Sequence, residues 1–158
     1  WLHTGDAGYL KDSHLYLTER IKDLFKTSNG KYISPQALET KLAIDRYIDQ
    51  IAVIADERKF VSALIVPVYG FVKDYAKEKG IAYSNMDELL QHPKIQALFR
   101  ARIDTLQQQF AHYEQVKRFT LLTEPFSMER GELTNTLKLK RSVVAKNYKG
   151  LIDKMYEE

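Results

Sequence analysis

Four short stretches of this sequence carry side chains whose types and spacing could do chemistry. In Leu137-Lys138-Leu139-Lys140-Arg141, Lys138 and Lys140 lie two apart and share a face of an extended segment. Residues 138–149 hold five basic side chains and no acidic one. A lysine there could be offered from a mobile loop to a phosphate or a carboxylate; a solvated strand-to-helix edge is the other reading, and composition alone favours it. In Thr4-Gly5-Asp6, an ionised Asp6 only accepts hydrogen bonds and could take two from vicinal sugar hydroxyls. A simple turn aspartate is the better reading of the tripeptide by itself. Arg20 and Lys22 would share a strand face as an anion-binding edge, although a solvated surface strand is commoner. Ser28-Asn29-Gly30-Lys31 ends in Gly-Lys but lacks the first glycine and the following Ser/Thr of a phosphate loop, so it reads as a turn. The four histidines, His3, His14, His92 and His112, show no metal-ligand spacing, and no metal site is expected. No serine or cysteine nucleophile signature is present.

The elements that must position these residues follow from pattern. Tyr9-Leu10 and Leu15-Tyr16-Leu17 flank a polar turn and predict a β-hairpin. A charged junction over residues 19–23 leads to a short strand at 24–26. The turn around Gly30 comes next, then Ser34-Pro35 as helix cap and first helical position, with the helix running to Leu42. Apolar runs at 51–55 and 61–68, split by Asp56-Glu57-Arg58-Lys59, predict a hairpin of two buried strands. Helices are expected over 71–79, ended by Gly80, over 86–90 and over 94–113, the last from apolar residues at steps of three and four. A strand at 119–122, a polar loop at 128–136, an extended 137–139 and a final helix interrupted at Gly150 complete the chain. The mixed order predicts an α+β class: a small mixed or antiparallel sheet with helices packed on it, preceded by a β-hairpin.

The 158 residues suffice for one domain with its own core, and 44% hydrophobic with 28% charged residues argues against disorder and coiled coil. A net charge of +3 selects no class of partner. The absence of cysteine excludes disulfide frameworks and thiolate metal sites and is compatible with a reducing cytoplasm. No apolar run approaches the ~18 residues of a membrane span.

Singly these signals are weak, but their order is specific. W-L-H-T-G-D-A-G-Y, R-I-K-D, G-K-Y-I-S-P-Q-A-L-E and T-N-T-L-K-L-K-R together span residues 1–141. In that order they resemble the carboxy-terminal part of the adenylate-forming superfamily of acyl-CoA synthetases, adenylation domains and luciferase. The subgroup most resembled is the AMP-forming long-chain fatty-acid CoA ligases. The H-T-G-D opening, the T-L-K-L-K-R ending and the long helical stretch 71–113 carry that narrower likeness.

The resemblance implies a two-step reaction. A fatty acid carboxylate attacks the α-phosphate of ATP, with Mg²⁺, and CoA then displaces AMP from the acyl-adenylate. A small domain rotates between the steps. By matched position, Asp6 and Arg20 would contact the nucleotide, Lys22 would be the hinge pivot, and Lys138 would bridge carboxylate and α-phosphate as the catalytic cation. Ser28, Asn29, Gly30 and Lys31 would form the loop that approaches CoA. Tyr32 stands where some relatives have a phosphate-binding arginine. The hinge role accounts for the charge at 19–23, since charged residues stay solvated in both arrangements.

The phosphate loop, adenine pocket and acyl tunnel of the superfamily lie in a large amino-terminal domain. Residues 1–21 are therefore expected to be the tail of that domain and 22–158 the mobile carboxy-terminal domain. Such a fragment is expected to be inactive alone and to reach fatty acid, ATP and CoA only through the larger domain. A cytoplasmic enzyme with room for peripheral membrane contact is implied. The rival readings are a family member acting on a different carboxylate, a basic nucleic-acid-binding module using 138–149, and a free-standing interaction domain with no chemistry. The module lacks clustered aromatics and a motif order of its own, so no nucleic-acid partner is expected.

Overall fold

The computed structural model describes residues 4–20 and 23–157; the expected pivot, Lys22, lies outside them. The expected hairpin is present as β1 (Asp6–Lys11) and β2 (His14–Arg20), antiparallel, with Tyr9 opposite Tyr16. Its two-residue turn puts both Asp12 (φ 51°) and Ser13 (φ 65°) in the left-handed region, the geometry whose twist suits flanking strands. β3 (Phe25–Lys26) and β4 (Tyr32–Ile33) close a second hairpin over the Gly30 turn. α1 (Pro35–Leu42) begins as its sequence requires: Ser34 Oγ accepts the Ala37 N–H at 3.2 Å and Pro35 occupies the first turn.

The centre is a mixed three-stranded sheet in the order β5 (Ile48–Ile54), β6 (Val61–Pro67), β7 (Val116–Leu121), with β5 antiparallel and β7 parallel to β6. Every residue of β6 is buried, as a central strand covered on both faces demands. The period-2 alternation divides the core. Ile51, Val53, Ala63 and Ile65 face the cluster that includes α1, α2 (Tyr69–Glu78), α3 (Met86–Gln91) and α4 (Pro93–Leu106). Ala52, Leu64 and Val66 face the cluster built with α5 (Arg141–Asn147) and α6 (Lys149–Tyr156). The right-sized crossover between the parallel strands β6 and β7 is the helical stretch α2–α4. Among the described residues no helix is long and apolar enough to cross a membrane.

Three local expectations need correction. The helix expected over 94–113 ends at Leu106. Gln107 is buried, and its side-chain amide takes the Val116 N–H at 2.8 Å and returns a bond to the Val116 carbonyl at 3.3 Å. Helix continued to residue 113 would carry the chain about 10 Å further from this point, leaving too few residues to bring Val116 beside Val61. Instead the chain turns through a short 3-10 helix at His112–Glu114. The final helix breaks at Tyr148, not Gly150, and the Tyr148 ring packs edge-on against Phe126 at 5.7 Å. Residues 137–139 are extended only at their end: Leu139 bridges Leu133, but Leu137 has φ 61° and its N–H closes a tight turn on the Thr134 carbonyl at 2.8 Å.

Candidate functional site

Lys138 stands on a miniature hairpin. Leu133 and Leu139 form an antiparallel bridge. Thr134 N–H donates to the Lys138 carbonyl at 2.8 Å, and Lys138 N–H returns a bond to Thr134 Oγ1 at 3.0 Å. One step on, the Lys140 N–H reaches the Glu132 carbonyl at 2.8 Å, just before α5 begins. Both backbone groups of Lys138 are thus bonded, while the residue is exposed and its ammonium has no partner among the described residues.

The side chain borders an open cleft of about 560 Å³. Asp23, Glu39 and Arg141 contribute its other charges, so the residue next to the expected pivot lines the same cleft as Lys138. Glu39 and Arg141 form a two-pronged ion pair, 2.6 Å at one oxygen and 2.7 Å at the other. Glu39 Oε1 also accepts the Val53 N–H at 2.9 Å, which gives a partner to an outward-facing donor of the edge strand β5.

Asp6 and Arg20 are brought together. They begin β1 and end β2 and are direct cross-strand partners at the open end of the hairpin. The Gly30 loop lies elsewhere and contributes nothing to the cleft wall. Thr27 N–H and the Lys31 carbonyl meet at 2.9 Å, Gly30 N–H reaches the Thr27 carbonyl at 2.9 Å, and Lys31 N–H reaches Thr27 Oγ1 at 3.1 Å. With those donors occupied the loop is no phosphate cradle, in keeping with its incomplete Gly-Lys signature. Gly30 sits at φ 77°, which a side chain would strain. The loop is docked on the β5–β6 turn through Ser28 N–H to the Arg58 carbonyl at 3.0 Å and Asn29 Nδ2 to the Lys59 carbonyl at 3.4 Å. Lys31 Nζ lies 5.4 Å from the ring centre of Tyr113, carried by the 3-10 helix at the end of the long helical stretch.

Sequence reasoning did not find Glu39, Arg141, Glu132 or Tyr113 as site residues. Glu39 and Arg141 are 102 positions apart, and no local pattern joins them. Glu132 had one legible sign, a carboxylate beside Gly131 before the apolar Leu133. Among the described residues no cluster of His, Asp and Glu could hold a metal ion.

Residues 22–158 match the family described as the AMP-binding enzyme C-terminal domain, and the chain belongs to it. It is 35% identical over its whole length to the peroxisomal long chain acyl-CoA synthetase 7 of Arabidopsis thaliana, covering 23% of that protein. It is also 35% identical, over 99% of its length, to long-chain-fatty-acid–CoA ligase 5 of Rattus norvegicus, again covering 23%. The chain therefore spans about a quarter of the curated relatives it matches. In shape it resembles the adenylation domain of a carboxylate reductase from Mycobacterium chelonae, with TM-score 0.77 at 24% identity, over 98% of this chain and 23% of that one. That likeness carries the fold: the expected α+β class is the observed one.

Proposed function

We propose that this chain is the mobile carboxy-terminal domain of an ATP-dependent long-chain fatty-acid CoA ligase, with residues 1–21 belonging to the tail of a preceding nucleotide- and acyl-binding domain. The observation that carries the reading is Lys138. Its backbone is locked on a short turn, its ammonium is unpaired among the described residues, and it borders a cleft shared with Asp23. A point charge on a flexible stem suits stabilisation of the charge that develops as a carboxylate attacks the α-phosphate of ATP. The family match beginning at residue 22 and the ligase names of the relatives support the domain boundary and the reaction class.

In this reading the parent enzyme takes fatty acid, ATP with Mg²⁺, and CoA. Asp6 and Arg20 read the nucleotide from adjacent strands, Lys22 is the pivot, and the loop Ser28–Lys31 meets CoA after rotation. Cytoplasmic residence with peripheral membrane contact belongs to the same proposal, and fractionation of cells expressing the tagged parent distinguishes it from a peroxisomal address.

The test is Lys138→Ala in the intact parent enzyme, with both half-reactions assayed. Acyl-adenylate formation should fall roughly a hundredfold to a thousandfold, the cost of removing one charge-stabilising donor. Thioester formation from supplied acyl-adenylate should be spared. Equal loss in both half-reactions, or in neither, overturns the assignment. The 158-residue chain alone should form no palmitoyl-CoA from ATP, Mg²⁺, CoA and palmitate.

A further inference from the structure

Arg141 begins α5 three residues after Lys138. Both of its terminal nitrogens bind Glu39, at 2.6 and 2.7 Å, and its guanidinium lies 5.4 Å from the ring centre of Phe25. Glu39 is fixed in turn by its place in α1 and by the Val53 N–H of β5. Three elements thus converge on one carboxylate, and the arginine it holds is the first helical residue after the Lys138 turn. The turn's other anchors are the Glu132 carbonyl under Lys140 and the Leu133–Leu139 bridge. Those fix its distance from the 127–133 loop; the Arg141–Glu39 pair fixes it against α1.

The pair's energy alone does not explain this arrangement. Arg141 is about one-third exposed and Glu39 is not sealed from solvent, and partly solvated pairs contribute modestly to stability. Its distinguishing property is directional. A planar fork against a carboxylate permits one mutual orientation, whereas an ammonium permits many.

We propose that Arg141, oriented by Glu39, is a positioning residue that sets the angle at which Lys138 enters the active site for adenylation. This rests on the reading of Lys138 as the adenylation cation. Because the pair reaches Lys138 only through backbone, it acts on the first half-reaction and leaves the CoA step alone.

The experiment uses the intact parent enzyme with Arg141→Lys, Glu39→Gln and, in parallel, Lys138→Ala. The readouts are acyl-dependent pyrophosphate exchange with kcat and KM separated, thioester formation from supplied acyl-adenylate, and the thermal midpoint. Arg141→Lys keeps the charge and loses the fork, so exchange kcat should fall roughly tenfold to a hundredfold, the scale of a small misplacement. KM for ATP, the thioester step and the thermal midpoint should stay near wild type. Glu39→Gln keeps an oxygen for Val53 and should show the same split, so it maintains the test if Arg141→Lys fails to fold. Unchanged exchange in both variants while Lys138→Ala abolishes it overturns the positioning role and spares the reading of Lys138. Parallel loss of both half-reactions with a lowered midpoint also overturns it and assigns the pair to stability. Intact exchange in Lys138→Ala overturns the reading of Lys138 itself, and the proposal with it.

Discussion

The carboxylate of Glu132 is wholly buried and meets the guanidinium of Arg130 at 3.0 Å. It also accepts the Ser127 N–H at 3.0 Å and an Asn147 amide N–H at 3.1 Å, so the charge is fully bonded. Burial works against ionisation, but Arg130, Asn147 and Ser127 together outweigh it and hold the carboxyl below its ordinary value near 4.5. A lowered folded pKa means stability that is complete above the unfolded value and is lost as pH falls through the folded one. Urea midpoints should therefore decline below about pH 4.5. Glu132→Gln should cost about 3 kcal/mol at neutral pH, the low end for breaking a buried pair whose partner still reaches water. The variant should also lose part of the acid dependence. An unchanged midpoint at neutral pH would sink the argument.

Tyr69 predicts the opposite limb. Its hydroxyl donates to the Leu122 carbonyl at 2.8 Å. Burial, and then the carboxylates of Asp49 and Glu124, push its pKa from 10.0 up to about 12. The neutral form is the one the fold favours, so this contribution is complete below pH 10 and disappears as pH rises towards 12. Tyr69→Phe should flatten the loss of stability over that window and cost about 1 kcal/mol at neutral pH through the lost hydrogen bond. Thermal midpoints of both proteins from pH 8 to 12 check it.

What was legible in the sequence was what is local. Ser34-Pro35 announces α1 through cap chemistry, and the apolar runs announce β5 and β6 through burial on both faces. Phe110 and Tyr113 keep the helical period as far as 113, whereas the Gln107–Val116 pairing that ends the helix at 106 is a tertiary fact. Glycine is the expected interrupter at 150, yet the break falls at Tyr148, where packing on Phe126 accompanies it. On the cleft, motif order singles out Lys138, while no local pattern joins Glu39 to Arg141, since neither residue's neighbours reveal the other; the Gly30 turn follows from its own residues and lies away from the cleft.

The amino-terminal hairpin gives a third expectation. Tyr9, Leu10, Leu15, Tyr16 and Leu17 are all exposed, and the two tyrosine rings stack at 5.2 Å. A two-stranded hairpin without a covered apolar face is marginal in water. In a demonstrably monomeric sample of the 158-residue chain, amides of Tyr9 and Tyr16 should exchange orders of magnitude faster than those of the buried strand β6. Protection equal to β6 would show that the hairpin is independently stable.

Leu137 gives the last. It holds φ 61° although it carries a Cβ, and it is two-thirds exposed, so burial does not offset the strain. Left-handed backbone costs a residue of this kind about 1–2 kcal/mol, whereas asparagine tolerates it better. A leucine kept at such a point, immediately before Lys138 and on the same cleft, breaks a local rule without gain inside this chain. Leu137→Asn should accordingly stabilise the 158-residue chain by about 0.5–1 kcal/mol, since relieved strain is the only change. Under the proposed function, with Leu137 meeting the larger domain when Lys138 enters the active site, the same substitution in the intact parent should slow pyrophosphate exchange several-fold. Denaturant melts of the chain and exchange assays of the parent read the two effects separately. A destabilised chain would mean that Leu137 packs more than its exposure implies. A stabilised chain with full exchange activity would show that the exposed leucine has no part in closure.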